Sequence, residues 1–224
     1  MNVEILYRPS YSLGVIRLDP NEKIRVEAGS MVSMSDGMAI ETKAAGGLFK
    51  SLSRAVLGGE SFFQNFYQAP ANGGEITVAP NLPGDVFVLE VKNEKLMVQA
   101  GSYLASEVGI ELNTKIGMKA FVAAEGISML EASGVGKLLL ASYGAIHEKN
   151  LATGEKYTVD TTHLVAFNAN MIVELKTVGG LKSTMLSGEG LVVSITGPGR
   201  LLMQTRSPKA FLDWIIPHIP KSRD

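Results

Sequence analysis

Along most of the chain apolar and polar residues alternate one by one, the signature of strands with one face buried. The first third predicts six short strands: 13–18, 24–28, 31–34, 38–42, 62–67 and 76–79. The middle third predicts 85–91, 96–100, 103–107, 110–114, 127–132 and 138–142, and the last third 144–148, 157–160, 164–167, 171–177, 191–195 and 201–205. Glycine, proline and asparagine clusters such as Asp19-Pro20-Asn21, Asn72-Gly73-Gly74 and Gly197-Pro198-Gly199 separate the runs, because Gly supplies positive φ and Pro presets a turn's entry. Two segments break the alternation. Residues 46–58 place Leu48, Phe49, Leu52, Ala55 and Val56 at helical spacing with Lys50, Ser53 and Arg54 opposite. Residues 207–216 predict a C-terminal helix with Ser207 as N-cap, Pro208 at the first helical position and Pro217 as the stop. Phe211, Leu212, Trp214 and Ile215 are expected to dock it on the sheets.

The alternating runs also repeat. Glu22-KIRVEAGSMV, Glu94-KLMVQAGSYL and Glu155-KYTVDTTHLV share a Glu-Lys start, an alternating run, a small-residue kink and two further apolar positions. Leu57-GGESFF, Val122-AAEGIS and Leu186-SGEGLV bring Glu60, Glu125 and Glu189 into register; Gly74-EITVA, Gly136-KLLLA and Gly199-RLLMQ form a third set. Three landmarks recurring in one order imply a triplicated chain. The expected pseudo-repeats are 1–80, 81–143 and 144–206 within one compact unit, followed by a helix and tail over 207–224. Residues 46–58 then read as an insertion peculiar to the first repeat.

Composition narrows the function. The 21 basic residues nearly balance the 22 acidic ones, which speaks against a generic polyanion binder; nucleic acid is not an expected partner. The absence of cysteine removes disulfides, thiolate ligands and thiol catalysis, and no apolar run is long enough to span a bilayer as a helix. A cytoplasmic protein, able to sit peripherally on a membrane, is expected. His147, His163 and His218 have no metal-ligand spacing, no phosphate-binding glycine loop occurs, and no serine sits in a nucleophile elbow. The aromatic cluster Phe62, Phe63, Phe66 and Tyr67 has no Lys or Arg interleaved in sequence and reads as strand packing. Glu60, Glu125 and Glu189 could line a symmetric cation site; the reading preferred is that each accepts backbone N–H bonds beside a Gly-rich turn. No catalytic residue, cofactor or metal is therefore expected.

The run Val26-EAGSMVSMSDGMAIETKAAGGLFKSLSRAVLGGESFFQNFY, with Met97-VQAGSYLAS and Leu186-SGEG, resembles the family named for altered inheritance of mitochondria. The resemblance spans nearly the whole chain. It implies an all-β fold of three tandem units similar to the tryptophan RNA-binding attenuation protein, each a small antiparallel sandwich or double-stranded β-helix. It also implies ring formation and, from the mitochondrial members, a role in inner-membrane organisation. No Lys/Arg cluster recurs per repeat, so RNA or tryptophan binding is not carried over. Exposed ends on a row of sandwiches call for closure, and the resemblance sets the count at a homotrimer. The expected function is a non-enzymatic oligomeric scaffold linked to a membrane or to complex assembly; a small-molecule-binding ring with pockets between repeats or subunits is the alternative. The candidate interaction surface is Leu48, Phe49, Lys50, Leu52, Arg54 and Val56, buried on the protein's own sheets or a neighbouring chain, or offered to a membrane or protein partner.

Overall fold

A computed structural model of the protein describes residues 1–44, 63–114, 128–177 and 191–220. The described residues form eighteen strands and one short α-helix. The first stretch carries β1 (Asn2–Leu6), β2 (Leu13–Leu18), β3 (Lys23–Glu27), β4 (Met31–Met34), β5 (Ala39–Ala44), β6 (Phe63–Gln68) and β7 (Gly74–Val78). Next come β8 (Val86–Lys92), β9 (Leu96–Gln99), β10 (Tyr103–Glu107), β11 (Ile110–Thr114) and β12 (Met129–Ala141). The last stretch has β13 (Ile146–Leu151), β14 (Lys156–Asp160), β15 (Leu164–Asn168), β16 (Ile172–Thr177), β17 (Leu191–Thr196), β18 (Gly199–Gln204) and α1 (Pro208–Ile215).

All named strand pairs are antiparallel, and the pairings recur. β2 pairs β7, β8 pairs the second half of β12, and β13 pairs β18. β4, β10 and β15 pair those same strands from the other side, each with one register shift, at Met31/Ser33, Tyr103/Ala105 and Leu164/Ala166. β3–β6, β9–β12 and β14–β17 form the opposite layer, extended by β5, β11 and β16. Three apolar cores lie between the layers. The first includes Ile16, Ile24, Val26 and Ile76, the second Leu96, Val98, Tyr103 and Leu138, and the third Val159, Leu164, Val193 and Leu201. Each side chain so buried contributes about 1.5–3 kcal/mol relative to exposure.

The structure revises four expectations drawn from the sequence. The N-terminal strand β1 was not among the expected elements. The two strands expected at 127–132 and 138–142 are one thirteen-residue strand, β12, because Gly134 and Gly136 let it bend without a break. Gly134 takes φ +107°, and a Cβ there would meet the Gly109 carbonyl. Pro217 does not end the helical run: after Ile215 it enters a 3-10 turn over Ile216–His218. α1 starts as expected, with the Ser207 hydroxyl accepting from the Ala210 N–H at 3.2 Å, but none of its residues is buried. Phe211 touches Tyr143 edge-on at 6.0 Å between ring centroids, while Leu212 and Trp214 stay exposed.

Candidate functional site at the two free sheet edges

The joins between successive thirds of the chain are strand to strand. β10 pairs β3 in the register Ala105↔Val26, Ser106↔Arg25 and Glu107↔Ile24. β15 pairs β9 in the matching register Ala166↔Val98, Phe167↔Met97 and Asn168↔Leu96. Each join merges two three-stranded half-sheets into six strands, β5-β6-β3-β10-β12-β8 and β11-β12-β9-β15-β18-β13, which share the long β12. Among the described residues two part-sheets are left over, β14-β17-β16 and β1-β2-β7-β4. Their outer strands, β14 and β4, stand where β3 or β9 and β10 or β15 stand in the finished joins.

Side chains follow the same plan. At the C-terminal end of β10 and β15, and just past β4, a side chain accepts a backbone N–H from the neighbouring strand. Ser35 Oγ takes the Glu75 N–H at 2.9 Å, Glu107 Oε2 that of Lys137 at 2.8 Å and Asn168 Oδ1 that of Arg200 at 2.7 Å. At the finished joins Tyr103 is fully buried and its hydroxyl lies 3.0 Å from Ser106 Oγ; burial pushes its phenol well above the ordinary range. Arg25 reaches across to the Ile110 carbonyl at 3.1 Å and lies 5.2 Å from the Phe66 ring centroid. The sequence showed no cation interleaved with those aromatics; the cation comes from another strand. On β4, an edge strand among the described residues and without a charge, Val32 is 58% exposed and Met34 38%. Such an edge is a template for a further strand.

A polar anchor ties the loop between β1 and β2 to the residue that precedes β8. Asp85, 3% exposed at its side chain, accepts from Arg8 Nε at 2.9 Å, Arg8 Nη2 at 2.7 Å, Ser12 Oγ at 2.9 Å and its own neighbour's N–H, Val86, at 2.9 Å. Beside it Gly84 bridges Gly144, and a Cβ on Gly84 would run into the Ser142 carbonyl, so the backbones meet only because the residue is glycine.

Of the sequence candidates, Leu48, Phe49, Lys50, Leu52, Arg54 and Val56, and Glu60, Glu125 and Glu189, lie outside the described residues. The Glu-Lys landmarks are described. Glu22 and Glu155 close turns by accepting the N–H three residues back, from Asp19 at 2.8 Å and Ala152 at 2.9 Å. Glu94 instead accepts from Asn168 Nδ2 at 2.8 Å across the second join. The Ala152 N–H, aided by Lys149, holds the Glu155 carboxyl below its ordinary range. A depressed acid contributes stability above its unfolded pKa and loses it as pH falls through the lower folded value. Glu155→Gln should therefore flatten acid unfolding below about pH 4.5, read by circular dichroism against pH. His163 Nδ1 meets the Gln204 carbonyl and His218 Nδ1 the Trp214 carbonyl, both at 2.7 Å, while His147 is exposed on β13. Among the described residues no group of three His, Asp or Glu could hold a metal, and no helix is long and apolar enough to cross a membrane.

Fold and edges together define an all-β protein of strand-joined layers in which, among the described residues, β4 and β14 are each paired on one side. The chain belongs to the AIM24 family, described as mitochondrial biogenesis AIM24, whose model matches residues 3–206. It is 27% identical over 222 residues to an uncharacterised protein of Streptococcus pyogenes serotype M6, covering 95% of this chain and 88% of that protein. It is 25% identical over 169 residues to the mitochondrial altered inheritance of mitochondria protein 24 of Verticillium alfalfae, covering 75% of this chain but only 43% of the fungal one. A crystal structure of a Streptococcus pyogenes protein superposes with a TM-score of 0.79 at 25% identity, over 97% of this chain and 99% of that one.

Proposed function

We propose that the protein is a non-enzymatic scaffold: three tandem units similar to the tryptophan RNA-binding attenuation protein per chain, and three chains closed into a homotrimeric ring. The observation that carries this reading is the pair of complementary part-sheets, β14-β17-β16 and β4-β7-β2-β1, left at opposite ends of a chain whose internal joins unite the same parts. Applying the internal register to the open ends gives Ser33↔Val159, Met34↔Thr158 and Ser35↔Tyr157 between one copy and the next. A head-to-tail contact of this kind is heterologous and either closes or runs on as a filament. Three copies is the count implied by the family resemblance. The ring would hold a membrane surface or a protein partner rather than nucleic acid, a reading supported by the net charge of −1. The family's description, mitochondrial biogenesis, supports a role in organisation over one in metabolism.

Light scattering tests the assembly. The wild type should have a mass three times 23.9 kDa at micromolar concentration. Val32→Lys with Met34→Lys should reduce it to a single chain, because charge on an edge strand blocks edge pairing. A wild-type mass of one chain would refute the ring.

A further inference from the structure

We propose that α1 of one copy covers the Tyr7–Tyr11 loop of the next copy, locking each joint of the ring from outside the sheets; the inference rests on the head-to-tail reading above. It starts from the way the chain passes from one unit to the next. After β12, residues 142–144 pair with the start of β8, through the Ser142 N–H to the Asp85 carbonyl and the Gly144 N–H to the Pro83 carbonyl, and then run on into β13. After β18, residues 205 and 206 make the matching bonds to the carbonyls of Ala145 and Tyr143. Here the described chain continues as helix rather than strand. The chain turns at Ser207 into α1, which stands at the position from which another unit would begin. In a head-to-tail assembly the unit beginning there is the first unit of the next copy, entered through its residues 7–12.

The two surfaces match in character. Tyr7 is 71% exposed and Tyr11 74%, yet their loop is held firmly, because Arg8 and Ser12 between and beside them are tied to buried Asp85. Across the joint, Leu212 is 50% exposed, Trp214 63%, Ile216 58% and Ile219 58%. Trp214 is itself held in place: its ring lies 6.3 Å from Phe211 and 5.5 Å from His218, and His218 Nδ1 is 2.7 Å from its carbonyl. Rigid aromatic groups lose little conformational entropy on burial, which suits both partners to a contact between copies. Tyrosine hydroxyls can stay at the wet rim while the rings cover the tryptophan and leucine.

Trp214 is the single tryptophan of the chain, so its fluorescence reports this joint alone. Acrylamide quenching is measured on the wild type and on Tyr7→Ala/Tyr11→Ala, with the mass of each sample taken by light scattering. Both tyrosines are mostly exposed within one chain, so the double variant should fold. The expected result is a shielded, blue-shifted Trp214 in the wild-type assembly. Quenching should rise several-fold and emission move to the red in the double variant, with its strand joints intact. An assembly of the right mass with a fully accessible Trp214 would overturn the inference and leave the ring standing. A shielded Trp214 that the tyrosine changes do not affect would give the helix another occupant and overturn it as well. A blue shift appearing only on adding anionic phosphatidylglycerol vesicles would assign the face to lipid instead. A single-chain mass for the wild type would remove the ring and this joint together.

Discussion

A chain carrying both Met34→Cys and Thr158→Cys should, after mild oxidation, run as a covalent trimer on a denaturing gel and return to single chains under reductant. Neither single variant should cross-link. The register of β10 on β3 and β15 on β9, carried to the open ends, places Met34 of one copy opposite Thr158 of the next. Directly opposed residues of an antiparallel pair have Cβ atoms ~4.5–5.5 Å apart, close to disulfide reach at the near end of that range. Both positions are exposed in the isolated chain, so the changes should cost little stability. The chain has no cysteine of its own, and any cross-link must come from the engineered pair. The same experiment reads register: moving one cysteine to Ser33 sets it diagonally to Thr158 on the opposite sheet face and should abolish the bond. Cross-linking in every register, or in none, would reject the strand joint. A ladder beyond three chains would reject closure while keeping the joint.

The second large effect is expected from Asp85→Ala. This carboxylate is nearly solvent-free and serves four donors, and removing it leaves the Ser12 hydroxyl and the Val86 N–H without their acceptor. Breaking a buried charge pair from one side commonly costs about 3–5 kcal/mol. Arg8 is half exposed and can recover water, which lowers the expectation here to about 2–3 kcal/mol. At ~2–4 °C per kcal/mol for a chain of this size, the melting temperature should fall by about 5–10 °C. Arg8→Ala takes the counter-charge from the buried carboxylate but leaves Asp85 its Ser12 and Val86 donors, and should cost about 1.5–3 kcal/mol. A loss below about 1 kcal/mol from Asp85→Ala would show that the anchor contributes no more than an ordinary surface pair.

Much of the fold was legible because it rests on local pattern. β2, β4, β10 and β11 fall on the residues where the alternation places them, since a strand with one buried face must alternate. The Ser207-Pro208 start of α1 was equally clear, as capping is a property of adjacent residues. Where the sequence misled, the deciding contact was distant. The spacing of Phe211, Leu212 and Trp214 resembles a docked helix, but Leu212 and Trp214 stay exposed, and the ring that Phe211 meets on the sheets, Tyr143, belongs to another part of the chain. Arg25 was not associated with Phe66 because they sit on neighbouring strands far apart in sequence. The equivalence of Ser35, Glu107 and Asn168 was invisible for a different reason. Each accepts one backbone N–H, and a hydroxyl, a carboxylate and an amide all can, so the hydrogen bond recurs where the residue type does not.

The sequence by itself determined the all-β class, most of the strand positions, the recurring landmarks and the absence of cysteine chemistry. These depend on side-chain period, turn residues and composition, which act over a few residues at a time. Only the tertiary structure decided which strands join, that β12 runs unbroken through two sheets, that Asp85 anchors Arg8 and Ser12, and that β4 and β14 are matching edges among the described residues. Every strand offers the same backbone donors and acceptors, so the alternation says which face is buried and never which neighbour is paired. Partner choice comes from the packing of whole layers, and it exists only once the chain has folded.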